Sequence, residues 1–228
     1  MKLLLCSDFS GVGYMWLDKF FDEFKGLNCL FVGYAQEDDF PYESSATKRF
    51  LELGINVILL DKDYDFKDKI DIIFVRGGNT TRLVHFLREY NQYNKIKLLA
   101  ESGVLYIGNS AGSVLAGNDT EWTLDAEPYE PDLKPIFGEN ALKGFCWVDQ
   151  MVFVHCSRYR MCYREEQENE KDVFKTIDKW NYPAYLSDCR KYKKDQFIKL
   201  GNNQAYYENG VDKKILTFNW KNIPFKKI

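Results

Sequence analysis

The chain has 228 residues, 45% hydrophobic and 29% charged, enough for a single domain with a sizeable core. Basic residues number 31 and acidic ones 34, so the net charge of −3 implies no dominant basic face and excludes nucleic acid as an expected partner. The apolar start, Met1 to Cys6, is interrupted at once by Ser7-Asp8, and no run approaches the ~18 apolar residues of a membrane span. A single cytoplasmic domain over 1–228, with no membrane partner, is therefore expected.

In chain order, 2–6 reads as a strand. Residues 13–25 carry helical spacing, with Trp16, Phe20, Phe21 and Phe24 recurring near i, i+4, i+5 and i+8. Residues 29–32 form a second predicted strand, 42–53 a helix, 56–60 a third strand and 70–75 a fourth. The stretch 79–90 reads as a helix with Leu83, Phe86 and Leu87 on one face. A further helix precedes Gly103, and 104–107 is the next strand. Nearly all-apolar strands separated by helical stretches predict an α/β fold, a mostly parallel sheet with helices on both faces. In such a sheet the functional site lies at the carboxyl ends of the strands.

The second half is less regular. Residues 117–144 hold Pro128, Pro131 and Pro135 among many acidic residues and read as a long loop over the active edge, a candidate lid. A strand is expected at 151–154 and a charged helix at 164–180. Short strands at 197–200, 204–207 and 215–218 follow, with a turn at Asn209-Gly210.

At the end of the 104–107 strand stands Gly108-Asn109-Ser110-Ala111-Gly112, which reads G-x-S-x-G. A tight strand-to-helix turn needs small neighbours, lifts a serine oxygen clear of the backbone and aims the next amide at a developing oxyanion. Ser110 is thus the candidate nucleophile and Ala111 an oxyanion donor. A serine needs a general base, and the chain has only two histidines. His85 falls mid-helix and reads as a packed or exposed helix residue. His155 ends the 151–154 strand, at the catalytic edge if that strand joins the parallel sheet. After Val75 comes Arg76-Gly77-Gly78-Asn79. Adjacent glycines let the backbone turn an amide toward a ligand, so Gly78 is the second oxyanion candidate. Asn79 serves either as the N-cap of the next helix or as a substrate contact.

The six cysteines include no C-x-x-C pair and read as free, mostly buried thiols. Cys156 and Cys162 lie near His155, but their spacing matches no zinc pattern, so no metal and no cofactor is expected.

These motifs resemble the peptidase S51 family, which contains the aspartyl dipeptidases (peptidase E) and the cyanophycinases. Gly77-Gly78-Asn79 matches the family's GGN turn, Gly108 to Ser113 its G-x-SAG-S elbow and His155 its later histidine. Ala141 to Phe145 is similar to its lead-in, and Arg164-Glu165-Glu166 to the REE that opens its next helix. The resemblance runs from about Ile70 to Gly210. It implies a sheet related to the class I glutamine amidotransferase-like (flavodoxin-like) fold, a Ser-His-acid triad and no metal. It also implies small-peptide substrates, often with an N-terminal aspartate, and leaves a homodimer open.

Two positions depart from the family pattern. Val154 stands where proline is usual. Asn202, in Leu200-Gly201-Asn202-Asn203-Gln204-Ala205, stands where the acid is expected, with Asp188 and Asp195 as nearby acids. An arginine fork suits an aspartyl carboxylate. Arg164 is the substrate-binding candidate because it falls on the REE arginine, while Arg158 and Arg160 lie closer to His155; each by itself reads more readily as a solvated charge. The expected function is a serine exopeptidase acting through Ser110, His155 and Asn202. A binding or regulatory protein with weakened catalysis is the alternative that Asn202 motivates. An esterase using Asp149 as its acid ranks last.

Overall fold

The computed structural model describes residues 1–11, 13–37, 44–125, 129–155, 161–165, 173–177 and 194–218. Five parallel strands form the centre: β1 (Lys2–Cys6), β2 (Asn28–Val32), β3 (Asn56–Leu59), β4 (Ile72–Val75) and β5 (Leu105–Asn109). Their lateral order is β1-β5-β4-β2-β3. A hairpin extends the sheet beyond β1: β10 (Gln204–Asn209) runs antiparallel to β1, and β11 (Asp212–Thr217) antiparallel to β10. Its turn is closed by Gly210 and Val211, between the paired Asn209 and Asp212.

The apolar runs divide between two cores by strand alternation. Leu3, Leu5, Leu30, Val32, Ile73, Val75 and Tyr106 face one side. Leu4, Cys6, Cys29, Phe31, Ile72, Phe74, Leu105 and Ile107 face the other. Because both faces are covered, neither set has polar alternation, which is why the strands read as continuous hydrophobic segments. Part of the 16% aromatic content lies in the second core, where Phe9, Phe31, Phe50 and Phe74 meet with ring centroids 5.0–5.2 Å apart.

The first core is covered by α2 (Thr80–Glu89), α3 (Tyr93–Glu101) and α4 (Ala111–Leu115). Asn79 caps α2, its side-chain oxygen accepting from the Arg82 amide at 2.8 Å, and Leu83, Val84 and Leu87 point inward. The second core is covered by α1 (Ser45–Glu52), capped by Ser44 through the Thr47 amide at 3.1 Å. Of the helix expected over 42–53, residues 42 and 43 lie outside the described residues.

Four expectations need correction. The 13–25 helix is a shorter 3₁₀ helix, Gly13–Lys19, after which the Phe20 and Phe21 amides both bond the Leu17 carbonyl. Trp16 and Leu17 bury their side chains from this short helix while Phe20 packs on Tyr207 beyond it, so the aromatic spacing needs no continuous helix.

The helix over 164–180 is replaced, in its described parts, by β7 (Met161–Glu165) and β8 (Val173–Ile177), an antiparallel pair. Its charge pattern resembled a solvated helix face, but the β-branched Val173, Thr176 and Ile177 favour an extended backbone.

The strand at 151–154 does form, as β6 (Met151–Phe153), yet it does not join the central sheet. It pairs in parallel with β9 (Phe197–Lys199) in a separate ribbon.

The described parts of the 117–144 stretch, 117–125 and 129–144, pack on the α2–α3 flank rather than over the strand ends. It contains a 3₁₀ turn, Glu121–Asp125, and the short α5 (Lys134–Phe137). Arg88 donates to the Ala141 carbonyl (2.9 Å), Tyr93 to that of Lys143 (2.8 Å), and Tyr129 meets His85 Nδ1 at 2.8 Å. The backbone carbonyls of this loop are thus matched to donors on the helices, which fixes it there.

Tyr106 ties sheet to helix: its ring is fully buried and its hydroxyl donates to the Gly112 carbonyl at 2.7 Å. Tyr106→Phe leaves that carbonyl without this donor in a closed core and is expected to lower stability by about 1–2 kcal/mol. Urea unfolding checks this, and an unchanged midpoint would contradict it.

Candidate active site

Ser110 occupies the single position between β5 and α4, with φ 51° and ψ −108°. Positive φ in a residue with a β-carbon costs on the order of 1–3 kcal/mol, so the surroundings must impose it. Three donors do so. The Ser110 amide donates to the Cys6 carbonyl at 2.9 Å. The Ser113 hydroxyl lies 2.9 Å from that same carbonyl and 2.7 Å from that of Gly108. Tyr106 holds the Gly112 carbonyl from beneath. The close fit also explains Gly112: a β-carbon there would run into the carbonyl oxygen of Val75 on the adjacent strand. Cys6 is sealed under the elbow. Burial pushes its thiol pKa far up, so it remains a neutral donor to the Gly108 carbonyl at 3.4 Å.

His155 arrives from the small ribbon, two residues beyond β6, with φ 55°. Its Nε2 lies 2.9 Å from Ser110 Oγ and its Nδ1 lies 3.1 Å from Asn202 Oδ1. An amide oxygen only accepts, so Nδ1 carries the proton and Nε2 presents a lone pair to the serine hydroxyl. That is the tautomer a general base requires. Ser7, 2% exposed, sets the imidazole's backbone: its hydroxyl accepts from the His155 amide at 3.0 Å and donates to the Leu200 carbonyl at 2.8 Å. The Leu200 amide in turn donates to the Phe153 carbonyl at 2.8 Å. Ser7 thereby locks the end of β1 to both segments that carry the imidazole and its partner.

The Gly77-Gly78 turn follows β4 and abuts the elbow, where a β-carbon on Gly77 would stand 2.8 Å from Ser110 Cβ. Gly78 has φ 142°, and a β-carbon there would collide with the Ala35 carbonyl, so the turn demands glycine. Gln36 steadies it, donating to the Gly77 carbonyl at 3.0 Å. Ala111 supplies the first amide of α4, one of those a helix start leaves without an intrahelical acceptor.

A cavity of about 380 Å³ opens at this point. Ser110, His155 and Gly78 line it together with Asp8, Arg76 and Asn109. Asn202 stands behind His155. Asn79 directs its oxygen to the Arg82 amide, as the N-cap reading required. The side chain of Arg164, and all of Arg158, Arg160 and Asp188, lie outside the described residues.

His85 is apart from the site, stacked on Phe86 and bonded to Tyr129. Asp149, the acid an esterase order would need, is exposed, and His155 Nδ1 meets Asn202 instead. Asp195 is likewise exposed. Among the described residues, no three His, Cys, Asp or Glu side chains cluster to hold a metal. Among the described residues, Cys6 and Cys29 are buried free thiols and Cys146 is an exposed one. No described helix is long and apolar enough to cross a membrane. The residues missed from sequence are Ser7, Asp8, Gln36 and the cavity-facing role of Arg76. The strand-end rule that picked out the loops after Val75 and Ile107 applies equally after β1, and would have found Ser7 and Asp8.

The family model for peptidase family S51 matches residues 3–181. The chain belongs to peptidase family S51. Membership places it among the serine-type peptidases, and the matched span includes Gly78, Ser110 and His155 but ends before Asn202.

Among its S51 relatives, peptidase E of Haemophilus influenzae (strain KW20/Rd) is 31% identical over 147 residues, 60% of this chain and 67% of that one. Peptidase E of Pasteurella multocida is 29% identical over 135 residues, 55% of this chain and 58% of that one. The matched part thus spans between about half and two thirds of these curated relatives. A candidate peptidase E protein from Listeria monocytogenes EGD-e superposes with a TM-score of 0.67 at 20% identity, over 96% of this chain and 98% of its own. A peptidase from an acI-B1 actinobacterium gives 0.61 at 13%, over 95% and 87%. At such identities these two structures speak for the shared α/β fold, a mostly parallel flavodoxin-like sheet.

Ser7→Ala removes one side chain and two tertiary links at once. It is expected to cost about 1–3 kcal/mol in thermal unfolding and to slow labelling of Ser110 by a fluorophosphonate. Labelling at the parental rate would show that Ser7 does not position His155.

Proposed function

We propose that the chain is a serine exopeptidase that hydrolyses short peptides, with dipeptides bearing an N-terminal aspartate as the preferred class. The observation that carries this reading is His155 bridging Ser110 Oγ at 2.9 Å and Asn202 Oδ1 at 3.1 Å. Ser110 attacks the scissile carbonyl while His155 Nε2 takes its proton. The tetrahedral oxyanion is held by the Gly78 and Ala111 amides, each worth about 3 kcal/mol of barrier. His155 returns the proton to the departing amine, and a water attacks the acyl-enzyme with the same histidine as base. The cavity's small volume favours short substrates. The aspartate preference rests on likeness to the family. Arg164 stays a candidate contact from that likeness, and Asn79 acts through the α2 cap.

Asn202 favours a second reading, a protein with weakened catalysis. A neutral amide fixes the tautomer but supplies no charge to the imidazolium formed in the transition state. In the Ser-His-Asp triad, aspartate to asparagine lowers turnover by about 10⁴ through the wrong tautomer, so with the tautomer correct the lost charge accounts for less than that.

A fluorophosphonate should label the parent protein, and Ser110→Ala should abolish both labelling and hydrolysis of Asp-X dipeptides. Turnover surviving in Ser110→Ala would refute the serine mechanism. Absence of labelling together with absence of turnover in the parent would favour the second reading. Asn202→Asp should raise kcat/KM about tenfold or more, with ~10⁴ as the ceiling. An equal or lower rate would mean that the amide is the group this site is built around.

A further inference from the structure

We infer that a second cavity, beside the one at Ser110, binds a free aromatic α-amino acid and reports it to the Gly77-Gly78 turn through Gln36. This goes beyond the serine-peptidase reading and does not rest on it.

The cavity, of about 350 Å³, opens at the carboxyl ends of β2, β3 and β4, where Gly33, Asp61 and Arg76 follow those strands. Open α/β sheets hold ligands in crevices at these ends. The strand order β5-β4-β2-β3 sets it to one side of the nucleophile. Gln36 and Arg76 border both cavities, whereas Ser110, His155 and Gly78 line only the first.

One wall is aromatic. Tyr34, Phe86 and Tyr90 pack on one another with ring centroids 5.6–6.0 Å apart. All three remain half-buried, so ring surface stays open where they line the cavity. Phe31 and Leu60, both buried, add apolar lining. A further ring suits such a wall, because aromatic pairs gain stabilisation beyond the area they bury.

The wall is fixed before any ligand arrives. Gln92, 1% exposed, accepts from the Tyr34 hydroxyl at 2.9 Å and donates to the Asp61 carbonyl at 2.6 Å. It thereby ties the loop after β3 to the Tyr34 ring. A site held in shape this way spares its ligand the cost of ordering it.

Charges of both signs complete the site. Arg82 lies over the Phe86 ring, 4.7 Å from its centroid, and its Nε donates to the Gln36 carbonyl at 3.2 Å. The Tyr129 hydroxyl takes a second of its donors. A guanidinium carries five N–H donors, so a carboxylate still finds partners there, and Lys62 lines the same cavity. Asp61 Oδ1 accepts from the Asp63 amide at 2.9 Å, which orients the carboxylate and leaves Oδ2 for an ammonium. Ring, carboxylate and ammonium are the parts of an aromatic α-amino acid. An aromatic acid without the amine would leave Asp61 unanswered, and an aromatic amine would leave Arg82 so.

Gln36 links this cavity to the other. Its carbonyl is held by Arg82, and its side chain donates to the Gly77 carbonyl at 3.0 Å. A ligand that fixes Arg82 therefore steadies the Gly77-Gly78 turn, and the coupling is reciprocal.

The test is equilibrium binding of L-phenylalanine to the full chain, with hydrogen exchange as the second readout. The parent should bind at one site with a Kd of about 0.1–1 mM, and Ser110→Ala should bind equally well. L-alanine, 3-phenylpropionate and phenethylamine, each lacking one part, should bind about tenfold or more weakly. Tyr90→Ala and Arg82→Gln should each weaken L-phenylalanine about tenfold, while Tyr90→Phe binds as the parent does and Arg82→Lys keeps part of the affinity. L-phenylalanine should slow amide exchange over 77–78 in the parent and not in Gln36→Ala. No saturable binding, or binding that Tyr90→Ala and Arg82→Gln leave unchanged, would overturn the site. Equal affinity for 3-phenylpropionate would overturn the amino-acid assignment, and binding without slower exchange would overturn the link through Gln36. These readouts need no turnover, so a parent inert toward the fluorophosphonate would count against the serine mechanism alone.

Discussion

Ser110 holds a backbone conformation that its own chemistry disfavours, and the rest of the site depends on that being enforced. The elbow survives because β5 and α4 pack too closely to relax. Gly112 touches the Val75 carbonyl, and the hydroxyls of Ser113 and Tyr106 occupy the carbonyls around it. All of these groups are deeply buried. Interior packing does not deform continuously, so a strained turn set in it stays in one place rather than drifting toward a milder φ. The reward is geometric: the oxygen stands clear of the backbone, next to the amide that starts α4.

The imidazole depends on a different piece of the chain, and its placement needed a second device. β6 and β9 form a ribbon outside the central sheet, so no shared ladder fixes His155 relative to Ser110, whereas Asn202 stands two residues before β10, which pairs with β1. The Ser7 hydroxyl substitutes for that ladder. One oxygen accepts from His155 and donates to Leu200, which joins the ribbon to β1, and β1 is already paired with β5. Two short hydrogen bonds thus do what several rungs of pairing would do in a continuous sheet. Proximity of reacting groups is worth many orders of magnitude in rate when geometry is held to fractions of an ångström, so a buried serine far from the nucleophile in sequence becomes part of how it works.

What the sequence made legible follows from how locally each feature is encoded. The central strands were readable because both faces are buried and the apolar runs are unbroken. Ser110 and Gly78 were readable because a strand-end turn needs small residues at fixed offsets. The Asn79 cap was readable for a similar local reason. The ribbon strands carried no such code. Residues 151–154 look the same whether they join a large sheet or a two-stranded one, because only long-range pairing decides. The 164–180 stretch misled because charged residues suit a solvated strand as well as a solvated helix, and propensity is weak where packing is sparse. Ser7 and Asp8 went unnoticed because nothing about a serine and an aspartate after a strand is unusual until the sheet order places them beside β5.

Asn202 joins these threads. A carboxylate there would do two things, orient the imidazole and offset the charge it acquires when it takes the serine proton. The amide oxygen does the first through the same Nδ1 contact, and the second falls to whatever charge lies nearby. Asp8 borders the same cavity, and its Oδ1 accepts from the Gly11 amide at 3.0 Å. A carboxylate at position 202 would supply both from one residue, without altering the elbow, the ribbon or the Ser7 link.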